Sequence, residues 1–600
     1  LAGVDDDNNG YIDDVSGWDF FSNDNSTAQD DFHGSHTAGT VGARGDNGIG
    51  VTGVNWRVKI LPLRFIGPQT GSSSDAVEAL DYAVAMGAKV SNNSWGGGGF
   101  SSAMNSAIAR ARQAGHIFVS SAGNNGDSVT GYPAGYTQDN IISVANVDNR
   151  DVINEQSSRG FPWVDIGAPG TDVLSLNGTD GYSYASGTSM AGPHVAGTVA
   201  LLWSHLPGLN YQEVIDRVYR RARPTASMEG YTTTGRALDA GAALAPVWIE
   251  ALSEAPEVVT PGAAFEIRFR VESDVGALAG SGPSVLVRDG EASAFAPAAV
   301  SFEGSDGLGD VYSATVTPAS CGSTLSWYVE AAAGDGSGYS ASFPAGGALQ
   351  PITAQIETET EVWVDDFQSD TGWSVANSLA DGGWNRGTPV GFGRADPIRD
   401  ADGSGQCYLT DNVSGNSDVD NGSTTLTSPT IDASGLNDAW FGYARWFNNA
   451  DGAAPNTDVF RVEISGDDGA TWMPFETVSA SDASVNGGWV TVNRRVSDVI
   501  APTATMRLRF IASDTDPQSL VEAAVDAVRL TDRAVCAAAP AACNGADIAE
   551  PFGLLNSSDV NAFVAGFLAG AVPADLAEPA GVLNASDINA FVAGFVAGCP

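Results

Sequence analysis

Gly187-Thr188-Ser189-Met190-Ala191-Gly192-Pro193-His194-Val195-Ala196-Gly197 and, far upstream, Phe32-His33-Gly34-Ser35-His36-Thr37-Ala38-Gly39-Thr40 decide how this chain is read. Each stretch sets one reactive side chain, Ser189 or His33, at the start of a helix rich in small residues. A serine hydroxyl is a weak nucleophile until a base takes its proton. His33 is the candidate base and Ser189 the candidate nucleophile, and only the fold can bring them together. Gly34, Ala38 and Gly39, with Ala191, Gly192 and Gly197, would let two helices pack closely. Pro193 falls in the first helical turn, where its missing N–H costs little.

Around these stretches, residues 1–245 alternate strand-like and helix-like patterns, the signature of an α/β fold with a parallel sheet. Val58 to Phe65 reads as a buried strand. Ser74 to Met86 reads as a helix with Val77, Leu80 and Val84 on one face and Gly87 as its stop. Val90 to Ser94 reads as a strand, Ser101 to Ala114 as a helix ended by Gly115, and His116 to Ser121 as a strand. Asn210 and Glu213 form a capping-box pattern opening a helix through Ala222.

The rest of the chain changes character. Phe265, Ile267, Phe269 and Val271 alternate with Glu266, Arg268 and Arg270, a half-buried strand. The pattern predicts an immunoglobulin- or fibronectin-like β-sandwich over 246–357 and a larger, jelly-roll-like sandwich over 358–536. In the latter, Ser465 to Trp472 resembles an Asp-box hairpin turn. Trp384, Trp446 and Trp489 suit either sugar stacking or core filling. Residues 537–600 hold a 28-residue repeat: Asp547 to Asp559 recurs as Asp575 to Asp587, each copy running into an apolar helix, Val560 to Leu568 and Ile588 to Val596.

Six hundred residues exceed one core, so several domains are expected. The net charge of −44 argues against a nucleic-acid partner. No apolar run is long enough to span a membrane. Cysteines stand only at 321, 407, 536, 543 and 599, a spacing unlike a zinc site. Pairings of Cys407 with Cys536 and of Cys543 with Cys599 are the expectation, in an oxidising, extracytoplasmic setting.

The histidine and serine stretches, in this order, resemble the corresponding boxes of the subtilisin-like serine proteases, and the likeness runs from about residue 5 to 240. It implies a secreted or cell-surface endopeptidase acting on proteins or peptides through an acyl-enzyme at Ser189. The competing reading is a non-catalytic surface or adhesion protein built on a degenerate protease domain. In Ser121-Ala122-Gly123-Asn124-Asn125-Gly126, the resemblance makes Asn124 the oxyanion donor. Ser94, Trp95 and Gly96 match the edge that pairs with substrate backbone. Gly131 matches the floor of the P1 pocket and implies large apolar P1 residues. His36 and His194 fall at structural positions of the family.

The family's aspartate, in Asp-Thr-Gly or Asp-Ser-Gly after an apolar strand, has no match before His33. The acidic residues there are Asp5, Asp6, Asp7, Asp13, Asp14, Asp19, Asp24, Asp30 and Asp31. The expectation is that the chain starts after the aspartate-bearing strand and, as written, is a poor enzyme. Asp5, Asp7, Asn9 and Asp13 have the spacing of a calcium loop without its closing Glu, or form a solvated acidic turn. Asn47, in Asp46-Asn47-Gly48, is either a family calcium ligand or part of a plain turn. The C-terminal repeat looks like a dockerin. Asp547, Asn556, Asp559, Asp575, Asn584 and Asp587 are its candidate calcium ligands, a metal-free helical hairpin being the alternative. A dockerin-like module implies a cohesin-like partner, and the β domain is a carbohydrate binder, a protein binder or a plain spacer.

Overall fold

The computed structural model describes residues 3–534 and the helices 557–569 and 585–597. Excepted within them are 6, 29–31, 69, 179–180, 292, 392–395, 414–417, 452–453, 480–484, 486 and 516–518. The described chain groups into two compact units. One joins residues 1–245 with 361–531, and the other joins 246–360 with 532–600.

In the first unit, β3 (Val90–Asn93), β4 (Ile117–Ser121), β5 (Ile141–Val147) and β6 (Ile166–Pro169) run parallel in that order. Two short strands, β9 (Arg223–Pro224) and β10 (Arg236–Ala237), extend the sheet beyond β6. Every residue of β4 and β5 is buried, as in a parallel sheet covered on both faces. α4 (Thr188–His205) packs on β3 to β6, and its Val195, Val199 and Leu202 join Val119, Ile142 and Val144 in one core.

The other helices follow from their caps. Ser72 Oγ accepts from Ser74 N to open α2 (Ser73–Ala85), and Gly87, at φ +80°, follows its last turn. Ser101 caps α3 (Ser102–Gln113). Asn210 and Glu213 close the full capping box of α5 (Tyr211–Arg220). α1 (Phe32–Gly42) packs against α4 and the hairpin of β7 (Val173–Asn177) and β8 (Gly181–Ala185).

Two sequence expectations fail here. The segment 58–65 is not a buried strand. It contributes only β2 (Leu63–Arg64), paired with β1 (Trp18–Asp19) apart from the main sheet, and Ile60 is 44% exposed. An apolar run stays unburied without neighbours on both edges, and β1 is its only strand partner among the described residues. Nor do all the small residues separate α1 from α4. A Cβ at Gly39 would come 2.5 Å from Ser175 Oγ on β7. One at Gly197 would come 2.8 Å from Val54, and one at Gly192 3.2 Å from Asn92 Oδ1. These positions admit a hairpin, a loop and a strand rather than the partner helix.

Beyond residue 246 the chain is mostly β. Phe265–Ser273 lies between Val247–Ala251 and Asp310–Val316 in one sheet. Thr324–Ala332 is central in a second. Phe269, Trp327 and Val329 share their core. In 358–534 two further sheets enclose Phe441, Phe447, Phe460 and Phe510. Trp384 and Trp446 are buried there, so neither is an open sugar platform, and Trp489, partly buried against Trp446, donates from Nε1 to Arg399 O at 2.9 Å. The Asp-box turn forms as read, with Thr471 N donating to Asp467 Oδ1 at 2.8 Å. Cys407 is a buried free thiol, which overturns its pairing with Cys536; Cys321, expected to have no assigned partner, is disulfide-bonded. Cys407 packs among Leu409, Trp446 and Ala524 on a strand buried throughout. The two C-terminal helices pair through Phe563 and Phe591, stacked at 4.2 Å.

Candidate active site

Ser189 is the second residue of α4, just past Gly187 at φ +148°, a backbone conformation that favours glycine. The first turn of this helix is held from two strands. Ser94 Oγ donates to Ser189 O at 2.8 Å, and Asn92 Nδ2 donates to Ser94 Oγ at 3.0 Å. From β4, Ser121 Oγ donates to Thr188 O at 3.0 Å. The Ser189 hydroxyl itself donates only a long bond, 3.4 Å to Ser94 O, so it is loosely held.

Asn124 follows β4 and faces solvent. Its Oδ1 accepts from Thr188 N at 2.8 Å and from Thr188 Oγ1 at 3.1 Å. A backbone N–H is an unambiguous donor, so this bond fixes which end of the amide is oxygen. Nδ2 is thereby turned outward at the N-terminus of the helix that carries Ser189. Gly123 N donates to Thr188 Oγ1 at 3.1 Å and completes the brace. Thr188, Asn92 and Ser121 were not singled out in the sequence. Thr188 and Ser121 lie within the stretches quoted for Ser189 and Asn124, and Asn92 two positions before Ser94, and that proximity was the available signal.

His33 lies half-buried in the first turn of α1, the helix set against α4. His36 and His194 are structural, as the resemblance implied. His36 Nε2 lies 3.0 Å from Val173 O and 3.2 Å from Ser183 O, so that nitrogen carries the proton. His194 Nδ1 donates to Met190 O at 2.9 Å, and burial lowers its pKa.

β3 is the edge strand of the sheet, and Ser94, Trp95 and Gly96 continue it. Gly97 N donates to Tyr132 O at 3.2 Å, which brings this edge beside Gly131. A Cβ at Gly131 would meet only Ala122 O, at an ordinary 3.4 Å. The glycine therefore keeps space open rather than avoiding a clash. Phe65 flanks Trp95 at 5.0 Å, and Tyr132 packs on Phe100 and Tyr136. Aromatic rings thus surround Tyr132, the residue after Gly131.

The acidic positions serve their own loops. Asp5 Oδ2 accepts from Gly10 N at 2.8 Å, Asp7 Oδ1 from Asn9 N at 3.2 Å, and Asp13 Oδ2 from Gly3 N at 2.5 Å. Asn9 Oδ1 accepts from Tyr11 N, and Asn47 Oδ1 from Ile49 N. Asp5, Asp7 and Asp13 are not among the carboxylates that converge within 4.8 Å in the described residues. Asp19 is buried and paired with Arg64, and Asp14 accepts from the Tyr82 hydroxyl. Asp6, Asp30 and Asp31 lie outside the described residues, as do Asp547, Asn556, Asp575 and Asn584. Asp559 and Asp587 fall within the two C-terminal helices. The acidic group that does converge among the described residues, Asp400, Asp402 and Asp526, was missed because Asp526 lies over a hundred residues from the other two.

A model of the subtilase family matches residues 2–240. Thermitase of Thermoactinomyces vulgaris is 38% identical over 191 residues, 32% of this chain and 67% of that protein. Subtilisin DY of Bacillus licheniformis is 36% identical over 209 residues, 34% of this chain and 75% of that protein. The chain belongs to the subtilase family. A thermophilic serine proteinase of Bacillus sp. (strain AK1) is 37% identical over 223 residues, 37% of this chain. The chain spans about half the length of that relative, 54%. The subtilase match ends near residue 240, so it leaves the β-rich remainder without a family assignment.

Proposed function

We propose that the chain is a serine endopeptidase that cleaves peptide bonds through an acyl-enzyme on Ser189. The observation that carries this reading is the fixed Asn124 amide, turned outward beside the nucleophile's helix. In the proposed reaction His33 takes the Ser189 proton as Oγ attacks the substrate carbonyl carbon. The carbonyl oxygen becomes an oxyanion, stabilised by Asn124 Nδ2 and the N-terminal N–H groups of α4. His33 then returns the proton to the departing amine, and the C–N bond breaks. A water, deprotonated by His33, releases the acid and restores Ser189.

The free edge at Ser94 to Gly96 suits an extended peptide added as a strand. The open space at Gly131 and the aromatic rings around Tyr132 support large apolar P1 residues. A disulfide at Cys321 supports an oxidising, extracytoplasmic location. Among the described residues, no helix is long and apolar enough to cross a membrane. The paired C-terminal helices leave Val560, Val564, Ile588 and Val592 exposed, which supports a dockerin-like role in binding a partner protein.

The test is hydrolysis of peptide substrates with Phe or Leu, Ala, and Arg at P1. With no aspartate matched before His33, the reading expects slow turnover that Ser189→Ala removes, with Phe or Leu preferred. Turnover that survives Ser189→Ala, or no turnover, rejects it.

A further inference from the structure

The loop Glu229–Thr232 meets the 361–531 sandwich, which belongs to the same compact unit. Gly230 sits at φ +77°, and a Cβ there would come 2.8 Å from the Trp446 ring and 3.2 Å from Asp396 O. Asn448, fully buried, donates from Nδ2 to the Tyr231 hydroxyl. Arg399 pairs with Glu229 at 3.3 Å. Tyr231 is 1% exposed and packs in one cluster with Trp163, Val164 and Met228 of the 1–245 part, while its hydroxyl bonds to Asn448 of the sandwich.

From Tyr231 the contacts lead back toward the site. Tyr231 O accepts from Gly160 N at 2.8 Å, and the Arg159 guanidinium lies over its ring at 4.9 Å. The segment 156–163 then holds the segment joining Asn124 to Gly131 at several points. Arg159 N donates to Asp127 O at 3.0 Å, and Gly126 N to Gln156 O at 3.0 Å. Ser158 N donates to Gly123 O at 2.8 Å, and Trp163 Nε1 to Ser128 O at 3.2 Å. The oxyanion asparagine and the pocket glycine are thus the two ends of a segment backed by 156–163, which is backed in turn by Tyr231.

We propose that the 361–531 sandwich is an intramolecular buttress for the peptide-binding wall, with Tyr231 as the positioning residue that joins Asn448 and Trp446 to residues 123–131. The proposal rests on the peptidase reading for its kinetic consequence but not for its structural one. An accessory domain that merely trails the protease would have no reason to bury Tyr231 and Asn448 together.

The test compares the full chain with its Asn448→Ala, Tyr231→Phe and double variants by two readouts. Amide hydrogen exchange over 123–131 should quicken about fivefold or more in each single variant. With an extended peptide substrate, KM should rise about fivefold while kcat holds within about twofold. The double variant should add little to either single one, because both remove the same bond. Unchanged exchange over 123–131 in both single variants overturns the proposal. So does a loss of kcat and KM together with uniformly faster exchange, which would mean general loosening of the fold. If the chain shows no peptidase activity, the peptidase reading fails, and the exchange experiment still decides the buttress.

Discussion

Val58-Lys59-Ile60-Leu61-Pro62-Leu63-Arg64-Phe65 and Ile117-Phe118-Val119-Ser120-Ser121 read alike as apolar strands and fold differently. The second has a parallel neighbour on each side and helices over both faces, and it is wholly buried. The first has only Trp18–Asp19 beside it and leaves Val58 and Ile60 open. Composition sets which segments would gain from burial, and topology sets which ones do. The same difference runs through the site. The serine side hangs from β3 and β4 by Ser94, Asn92, Ser121 and Asn124. The histidine side rests on α1, which packs against α4 and the β7–β8 hairpin.

The largest expected effect lies at the join of these two sides. His33→Ala should bring peptide hydrolysis to background; in subtilisin's own triad such a loss is about 10⁶-fold in kcat. Asn124→Ala tests the serine side alone. A fall of about 10²–10³ in kcat with KM little changed matches the size found for subtilisin's own oxyanion asparagine. A rise in KM with kcat unchanged would mean that Asn124 binds substrate rather than the oxyanion.

Stability should divide along the same line. Ile142→Ala, in the fully buried β5, should cost about 2–5 kcal/mol in chemical denaturation. Asp165 gives the sheet a pH signature. Ser143 N and Thr233 Oγ1 donate to its carboxylate, yet burial outweighs them and pushes its pKa up to about 6. A folded pKa above the unfolded value near 3.8 means a contribution complete below about pH 4 and lost as pH rises through 6. Relative to Asp165→Asn, the wild type should lose about 1–3 kcal/mol between pH 4 and 7, read from denaturation midpoints. A parallel pH dependence in both would place the titration elsewhere. The smallest effect belongs to the open segment: Ile60→Ser should change stability by under about 0.5 kcal/mol. A cost near that of Ile142→Ala would show that 58–65 is buried after all, and the contrast would fall.

Much of the catalytic segment was legible because its signals are local. Ser72, Ser101 and Asn210 cap within three residues, and Gly87 and Gly115 stop helices by their own backbone angles. The boxes around His33 and Ser189 are short continuous stretches. What could not be read depends on partners distant in the chain. Trp446 is core because Cys407, Leu409 and Ala524 from neighbouring strands pack against it, not because of its neighbours in sequence. Cys407 is unpaired because its strand buries it. Tyr231 meets Asn448 across 217 positions, and no local pattern signals such a contact.

The central claim is that Ser189 is a nucleophile poised beside a fixed oxyanion donor. Its most direct test is reaction of the folded chain with a fluorophosphonate, followed by peptide mapping of the adduct. The account predicts a single label on Ser189 that disappears in His33→Ala as well as in Ser189→Ala. Absence of label, or a label on another serine, would contradict it.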